Sequence, residues 1–382
     1  MARQRVYYKG RRKKRNYAIV PFVILLLILS TGIILFYSFQ KYAVISDDGI
    51  EIRLPILTEK EETTVDASGK EVKVFEYVDP NLQFLPADYT TVEATAGRNL
   101  SPVRAIYIPY DEVMDAEKID QYANRLSSGN ALLFELKKED GYLAYYSECE
   151  TAYTYGLNMV GEDTKEFLAS QVAGLKEKGI YLVAQISTCI DDLFGAHCAT
   201  VTLKNQFGYD YGDSKGNYRD PYSVQVRNYV VELCEELYDM GFDEVVLANV
   251  LCPVIEDENI TLVYTREMST SPTKIGAVSS FVVNVAEALS DRAPGKVLSI
   301  YCDSTIARVK ADAENGQNGP LFMKVFDRVY LRTDRYAYQY NCQDFENSVV
   351  IGNIYDRLVP VVINYLPDNS SWIYIDEETQ AD

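Results

Sequence analysis

The sequence predicts an α/β protein, a (β/α)8 barrel of the TIM type that follows one N-terminal transmembrane helix. From Arg104 onward, short and nearly continuous apolar runs alternate with amphipathic segments, a pattern typical of parallel strands buried on both faces. At least seven such runs occur between residues 104 and 365, which fits a barrel in size and pattern. An uncharged run of 23 residues, 17–39, precedes all of them.

The N-terminus combines a basic segment with an apolar one. Residues 1–16 hold eight Lys or Arg and no acid, and the run 17–39 is long enough to cross a bilayer as a helix. Because no small-residue cleavage site follows, we expect an uncleaved anchor rather than a signal peptide or a buried core helix. Basic residues stay on the cytoplasmic side. The sequence therefore predicts a single-pass cell-membrane protein with a cytoplasmic N-terminus and an extracellular main domain.

Residues 40–100 are predicted to form an extracellular stalk or small β element that holds the main domain off the membrane. Two of its pieces, 49–56 and 71–77, are strand-like, and polar stretches such as 58–68 lie beside them. The main domain, 101–382, is assigned to the barrel.

The main domain alternates strands and helices. Strand-like runs lie at 104–110, 131–137, 180–188, 244–251, 297–302, 328–332 and 358–365. Between them, residues 115–126, 164–178 and the segments that begin at Ser223 and Pro272 carry apolar side chains at helical spacing, with Gly179 and Gly241 as stops. A doubly wound open sheet is the competing fold, but no G-x-G-x-x-G follows a strand. The last two strands are hard to place, which leaves an incomplete barrel open.

Composition argues against several classes of function. The 382 residues carry a net charge of −19, which disfavours nucleic acid as the main partner. The single histidine, His197, argues against a histidine metal cluster and against histidine-based catalysis. The sequence has no C-x-x-C pair and no cofactor motif, so neither a metal site nor a cofactor is predicted. Among the seven cysteines, a bridge between Cys189 and Cys198 is left open.

Two long loops indicate where a site would lie. Residues 189–222 and 252–271 connect strands to helices, whereas the links from helix to strand at 179 and 241–243 are short. In a barrel, long strand-to-helix loops gather at the C-terminal face, where sites are built. The first loop is rich in Tyr, Asp and Asn, which suits the apolar faces and hydroxyl edges of sugar rings. A solvated acidic loop is the alternative, and an oxygen-only cation site among Asp210, Asp213 and Asp220 stays open.

Four segments of the main domain share a pattern with known proteins. They are LLFELKKEDGYLAY (132–145), KGIYLVAQISTCIDD (178–192), GNYRDPYSVQVRNYVVELCEELYDMGFDEV (216–245) and VVLANVLCP (245–253). In this order they resemble a bacterial glycoside-hydrolase family, a membrane-anchored or secreted domain of unknown function. The resemblance covers about residues 104–366. It implies a (β/α)8 barrel related to polysaccharide-cleaving enzymes.

The chain departs from that family pattern at the positions that matter for chemistry. On strand four the family's aspartate falls at Ala248 and its tyrosine at Asn249, and on strand three its arginine falls at Gln185. Glycoside hydrolysis commonly uses two carboxyl groups, one on each side of the scissile bond. If the strand-four aspartate is one of that pair, alanine removes half of the chemistry.

The candidate catalytic pair is therefore a displaced one, Glu135 with Asp303, because both lie near the C-terminal ends of predicted strands. Glu135 and Lys137 are two residues apart on one strand, so we expect both to point to the same side. The candidate substrate-binding residues are Lys137, Asp140, Gln185, Asp191, Tyr218, Asp220 and Asn249. For each acid at the rim, a solvated surface position is the alternative.

These observations favour a membrane-anchored extracellular barrel that binds envelope or extracellular polysaccharide with weak or no catalysis. An active polysaccharide hydrolase that uses the Glu135/Asp303 pair is one alternative. A non-catalytic scaffold for envelope assembly is another, with protein partners that the sequence does not identify. The fold alone does not distinguish them.

Overall fold

The computed structural model describes residues 100–126, 129–264, 273–302, 311–333, 337–346, 357–363 and 371–376, together with four short strands nearer the N-terminus. The chain divides into two compact units, Met1–Phe84 and Leu85–Asp382. In the first unit, Ala43–Ser46 pairs antiparallel with Gly49–Ile52, and Glu62–Val65 pairs antiparallel with Glu71–Val74. Two of these strands fall within the strand-like pieces expected from the sequence. The role of the segment as a stalk stays a prediction.

The expected transmembrane segment, 17–39, and the basic segment before it lie outside the described residues. Within the part of the chain that the structure describes, no helix is both long enough and apolar enough to span a bilayer. The membrane anchor therefore stays a prediction.

The second unit contains a closed barrel of eight parallel strands. In chain order they are β1 Arg104–Ile108, β2 Ala131–Lys137, β3 Tyr181–Ser187, β4 Glu244–Ala248, β5 Val297–Cys302, β6 Arg328–Arg332, β7 Leu358–Ile363 and β8 Trp372–Ile375. Each strand pairs with the next one along the chain, and β8 pairs with β1. The predicted barrel is confirmed, and the alternative of an incomplete barrel is wrong.

The closing strand β8 is the barrel element that sequence analysis missed. Ile373 of this strand lies opposite Val361 of β7 on one side and Ala105 of β1 on the other. The strand has only four residues, WIYI, which is too few to show a clear period in the sequence. The strand β8 is therefore recognised from its pairing with β7 and β1, and not from its own sequence pattern.

Eight helices are seen in the described part of the second unit. They are α1 Ala116–Asn124, α2 Glu150–Tyr155, α3 Asp163–Glu177, α4 Asp192–His197, α5 Val224–Met240, α6 Lys274–Arg292, α7 Gly319–Val325 and α8 Ala337–Glu346. The carboxylate of Asp115 caps α1 by accepting a hydrogen bond from the Glu117 amide at 2.9 Å. Gly241 ends α5 with φ at 117°, as its position in the sequence predicts.

Barrel side chains alternate between two hydrophobic layers, because successive residues of a strand point to opposite faces. The inner layer lies inside the barrel and includes Ala105, Leu133, Val183, Val246, Tyr330 and Val361. The outer layer joins the strands to the helices and includes Ile106, Leu132, Leu182, Leu247, Val230 and Val285. Beyond the inner layer, the barrel opens at the C-terminal ends of the strands. The inward-facing positions at this end are called the mouth below.

The opposite end of the barrel interior holds a buried ion pair. The side chains of Glu244 and Arg328 contact each other and are 0% and 1% exposed. Glu244 also accepts hydrogen bonds from Ser299 Oγ at 2.6 Å, Tyr330 OH at 2.7 Å and Tyr181 OH at 3.0 Å. Both carboxylate oxygens of Glu244 are therefore engaged within the core, at the end of the barrel far from the mouth.

Candidate functional site

Glu135 lies at the C-terminal end of β2 and faces the mouth. Its Oε2 accepts hydrogen bonds from Tyr107 OH at 2.7 Å and from the Tyr110 amide at 3.2 Å. Burial raises the pKa of the Glu135 carboxyl above its ordinary value, and the nearby Glu139 adds to this, whereas the two hydrogen bonds lower it. Burial and the Glu135 charge also raise the pKa of Tyr107. The net shift of the Glu135 pKa is upward.

Asn249 follows β4 and connects the ends of three strands. It is the one non-glycine residue among those described that has a positive φ, 54°. Its Nδ2 donates to Glu139 Oε1 at 2.9 Å and to Ser187 Oγ at 3.1 Å. Glu139 belongs to the loop after β2 and Ser187 ends β3. The Asn249 amide therefore ties the β2 loop to the ends of β3 and β4.

The inward position at the end of β4 is occupied by Ala248. Ala248 lies opposite Ser187 of β3, and Gln185, two residues earlier in β3, lies opposite Glu135 of β2. The structure thus brings together three predicted site residues at the mouth, Glu135, Gln185 and Asn249. It places no carboxylate at position 248 itself.

The prediction that Glu135 and Lys137 point to the same side is wrong. Glu135 lies opposite Gln185, but Lys137 lies opposite Ile186, so the pairing of β2 with β3 shifts between them. Such a bulge places an extra residue in one strand and interrupts the alternation of faces. Lys137 therefore leaves the mouth, although its spacing from Glu135 predicted otherwise.

Lys137 forms a buried ion pair with Asp191. The Nζ–Oδ2 distance is 2.7 Å and the two side chains are 1% and 2% exposed. Lys137 Nζ also lies 5.6 Å from the ring centroid of Tyr229 in α5, and Asp191 Oδ1 accepts the Phe194 amide at 2.7 Å as the N-cap of α4. Gly141 leaves room for this carboxylate, because a Cβ there would lie 2.1 Å from Asp191 Oδ1. Both charges are engaged within the protein.

Two more predicted binding residues are buried within the long loop 189–222. Tyr218 is 1% exposed, and its hydroxyl donates to Asp213 Oδ2 at 2.8 Å. Asp220 is fully buried, and its Oδ1 accepts the Tyr222 amide at 2.9 Å. These contacts fix the conformation of the loop.

A polar groove of about 710 Å³ opens beside the mouth. This rim groove is lined by Lys138, Glu139, Asp140, Asp192, Asp210, Gly212, Asp213, Ser214, Lys215, Gly216 and Asn217. The predicted binding residue Asp140 therefore faces it. Glu139 connects the groove to the mouth, because it also contacts Asn249.

The cation site left open by the sequence is not formed. Asp210 is held by Lys204 and by Thr202 Oγ1, Asp213 accepts Tyr218 OH, and Asp220 is buried. More generally, no group of three or more His, Cys, Asp or Glu side chains in the described ranges is arranged to hold a metal ion.

The remaining predictions concern one acid and the cysteines. Asp303 lies outside the described residues, immediately after Cys302 at the end of β5, so the Glu135/Asp303 pair stays a prediction. All seven cysteines are described and all are free thiols. The bridge between Cys189 and Cys198 that the sequence left open is therefore not formed.

Sequence analysis missed the residues that position the carboxyl groups at the mouth. Tyr107 and Ser187 are inward residues of β1 and β3, the two strands that flank β2, and Glu139 is one residue before the acid that was chosen, Asp140. The sequence signal that could have identified Glu139 is its place in the turn after β2, since loops that follow barrel strands gather at the mouth. Which acid of that turn would reach Asn249 depends on the bulge and was not visible in the sequence.

Comparison with known proteins places the chain in a family. Residues 105–330, more than half of the chain, match the family model described as "Putative glycosyl hydrolase domain". The chain belongs to this family. The resemblance noted from the four sequence segments is thereby confirmed, and the closed barrel is the fold expected of a glycosyl hydrolase-like domain.

Solved structures similar to this glycosyl hydrolase-like chain are distant. A hypothetical protein from Ruminiclostridium thermocellum is 19% identical over 51% of this chain and 96% of its own, with a TM-score of 0.43. The GH20 exo-β-N-acetylglucosaminidase from Vibrio harveyi is 12% identical over 72% of this chain and 50% of its own, with a TM-score of 0.47. The GH36 α-galactosidase AgaA from Geobacillus stearothermophilus is 9% identical over 75% and 41%, also with a TM-score of 0.47. The chain therefore spans half or less of these two glycosidases. No curated protein sequence matches it.

Proposed function

We propose that this protein is a membrane-anchored extracellular barrel that binds envelope or extracellular polysaccharide at its mouth, with weak or no hydrolysis. The observation that carries the proposal is Ala248. It occupies the inward end of β4, where the family pattern has an aspartate, while hydrogen-bonding side chains surround it. The mouth thus keeps groups suited to a sugar and lacks one carboxylate suited to cleaving it.

The groups at the mouth match the chemistry of sugar hydroxyls. A hydroxyl both donates and accepts hydrogen bonds, and the mouth offers carboxyl, amide and phenol groups that do the same, from Glu135, Gln185 and Tyr107. The rim groove beside it adds polar groups around a volume of about 710 Å³, which is larger than one sugar ring. A polymer is therefore a better fit than a monosaccharide.

The proposed location follows from the charge pattern of the N-terminus. Eight basic residues precede the uncharged run 17–39, and the main domain follows it. Positive charge is retained in the cytoplasm, which directs the barrel outward. An extracellular barrel would meet envelope and secreted polysaccharides.

Binding is tested with the full-length protein in mild detergent on an array of cell-wall and capsule polysaccharides. We expect binding to at least one polymer. Gln185→Leu keeps the side-chain volume but removes the amide, so affinity should fall about 5-fold, the equivalent of one hydrogen bond of roughly 1 kcal/mol. Glu117→Gln, an exposed change in the first turn of α1, is the matched control and should bind as the parent does. Absence of binding to every polymer would contradict the proposal.

Location is tested separately by protease treatment of intact bacterial cells that express the full-length chain. We expect the barrel to be released or digested from outside and residues 1–16 to stay protected, because the charge pattern keeps the N-terminus inside. A barrel that resists protease until the cells are lysed would contradict an extracellular position. That result would leave polysaccharide binding in vitro unaffected.

A further inference from the structure

A tight turn in the long loop 189–222 presents two aromatic side chains to solvent. Phe207 is 67% exposed and Tyr209 is 71% exposed. They lie at the end of a hairpin in which Lys204 pairs antiparallel with Asp210. These two side chains are called the aromatic tip below. Exposed apolar surface that is concentrated in one place is typical of a binding site.

Hydrogen bonds fix the backbone of the aromatic tip. The side-chain Oδ1 of Asn205 accepts the amides of Phe207 at 3.0 Å and Tyr209 at 3.1 Å. The Asn205 carbonyl accepts the Gly208 amide at 2.9 Å. Gly208 has φ at 82°, the left-handed conformation that a bulged hairpin turn requires of its glycine. Because the turn is held in one conformation before a ligand binds, little ordering is needed on binding.

The second long loop braces the same turn. Gln206 Oε1 accepts the Thr261 amide at 2.8 Å, and Gln206 Nε2 donates to the Asn259 carbonyl. Leu262–Val263 also pairs antiparallel with Lys204–Asn205. The two loops follow β3 and β4, so the aromatic tip belongs to the C-terminal face of the barrel, where the mouth lies.

The aromatic tip adjoins the rim groove. Asp210, the residue after Tyr209, lines this groove. Its carboxylate is held by Thr202 Oγ1 at 2.7 Å and by the ammonium group of Lys204. The backbone that carries Tyr209 therefore continues directly into the wall of the groove.

Aromatic rings and sugar rings fit face to face. The C–H groups on one face of a sugar ring form an apolar surface, and an aromatic face is apolar and carries partial negative charge that attracts such hydrogens. This contact leaves the hydroxyls at the edge of the sugar free to bond to the polar groups of the rim groove. A polysaccharide repeats this combination along its chain, so neighbouring sugars can use the groove and the tip together.

Charge around the groove and the tip disfavours an acidic ligand. Five carboxylates and two lysines line the rim groove. The exposed acids Glu256, Asp257 and Glu258 lie in the loop that braces the tip. Uronic acid or phosphate groups on a polymer would be repelled by this excess of negative charge. An anionic lipid surface attracts basic segments, so it is disfavoured for the same reason.

We propose that Phe207 and Tyr209 form a stacking subsite that extends the rim groove and takes sugar rings of a polysaccharide without acidic groups. The proposal rests on the polysaccharide binding proposed above. It adds the place where the polymer leaves the groove and the chemical class to which the polymer belongs.

The test uses the full-length protein in mild detergent on the polysaccharide array. Mixed-linkage β-glucan, mannan and chitohexaose are the uncharged probes, and polygalacturonate and alginate are the acidic ones. We expect at least one uncharged probe to bind about 10-fold or more tightly than either acidic probe. Phe207→Ala and Tyr209→Ala should each weaken that binding about 10-fold, a typical loss when an anchoring aromatic side chain is truncated. Tyr209→Phe keeps the ring and should bind as the parent does.

Tyr340→Ala is the matched control, because Tyr340 is 68% exposed in α8, which connects β6 to β7 on another part of the barrel. It should bind as the parent does. If Phe207→Ala and Tyr209→Ala also bind as the parent does, the stacking subsite is overturned and the proposed function stands. Tighter binding of an acidic probe overturns the assignment of the polymer class. Absence of binding to every polymer contradicts the proposed function itself.

A lipid surface is the competing occupant of the aromatic tip. The full-length variants Tyr209→Cys and Tyr340→Cys are placed in vesicles of phosphatidylcholine and phosphatidylglycerol and labelled with a water-soluble maleimide, with the parent chain as background. We expect equal labelling rates without polymer, and slower labelling of Tyr209→Cys alone once the uncharged probe that binds is added. Slow labelling of Tyr209→Cys in vesicles without polymer would assign the tip to lipid and overturn the proposal.

Discussion

Replacement of Lys137 by methionine should destabilise the barrel strongly. Methionine has a similar length but no charge, so the Asp191 carboxylate, which is 2% exposed and accepts the Phe194 amide, would lose the ammonium group that pairs with it. Removal of one partner from a buried ion pair costs about 3–5 kcal/mol. At roughly 1.4 kcal/mol per factor of ten, the ratio of folded to unfolded protein should fall by about two to four powers of ten.

The assay is equilibrium urea unfolding of the full-length protein in mild detergent, followed by circular dichroism. Asp191→Asn and the double variant complete a double-mutant cycle. Asparagine can still accept the Phe194 amide. The stability lost in the double variant should therefore be smaller than the sum of the two single losses, by at least about 2 kcal/mol. If Lys137 were free to bind a ligand and did not pair with Asp191, the cycle would show no such coupling.

Lys118→Met is the matched control for the loss of a lysine. Lys118 pairs with Glu112 at 3.1 Å, but its side chain is 45% exposed, and exposed pairs contribute only about 0–1 kcal/mol. If Lys137→Met costs no more than Lys118→Met, the buried ion pair is not present in solution and the reasoning from the bulge is wrong.

Three further predictions concern a glycine, an acid and a thiol. Gly141→Ala should lower the free energy of unfolding in urea by at least about 2 kcal/mol, because φ is 89° and the new Cβ would lie 2.1 Å from Asp191 Oδ1. Gly208→Ala, with φ of 82° and no atom within 4 Å of the new Cβ, measures the cost of the backbone strain alone. Equal losses in the two variants would contradict the steric argument. Burial raises the pKa of Glu135 in the folded state, so the folded protein binds this proton more tightly and loses stability as pH rises above the ordinary value of 4.5. Glu135→Gln should remove that loss, which is measured by urea unfolding of the parent and the variant at pH 4 and pH 7. If the parent loses no more stability than the variant between these two pH values, the prediction is refuted. Burial also raises the pKa of Cys149 to about 12, so a thiol reagent should label it slowly at pH 8 and quickly in denaturant, whereas fast labelling of the native protein would show an accessible thiolate.

Much of the fold could be read from the sequence because most of its strands are nearly continuous apolar runs. Seven of the eight strands and the ends of α5 were visible from apolar runs, a serine cap and Gly241. The eighth strand has four residues and is defined by its neighbours β7 and β1. Short strands of this kind carry little local signal, so only closure of the barrel reveals them.

The site was less predictable because it depends on side-chain direction. Spacing alone placed Lys137 beside Glu135, and one bulge moved it into the layer between barrel and helices, where it pairs with Asp191. The same turn carries Glu139 toward Asn249. A shift of one residue reverses the face of every side chain that follows, and sequence periodicity does not show where a strand bulges.

The sequence by itself determined the family, the barrel and the absence of an acid at position 248, since each is written in residue type and in the period of apolar positions. Tertiary structure alone decided which charges meet. Glu139 reaches Asn249, 110 residues away, and Lys137 reaches Asp191, because the pairing of neighbouring strands brings the ends of β2, β3 and β4 together. Contacts between residues so far apart in the chain follow from strand register and backbone turns, which depend on packing of the whole barrel.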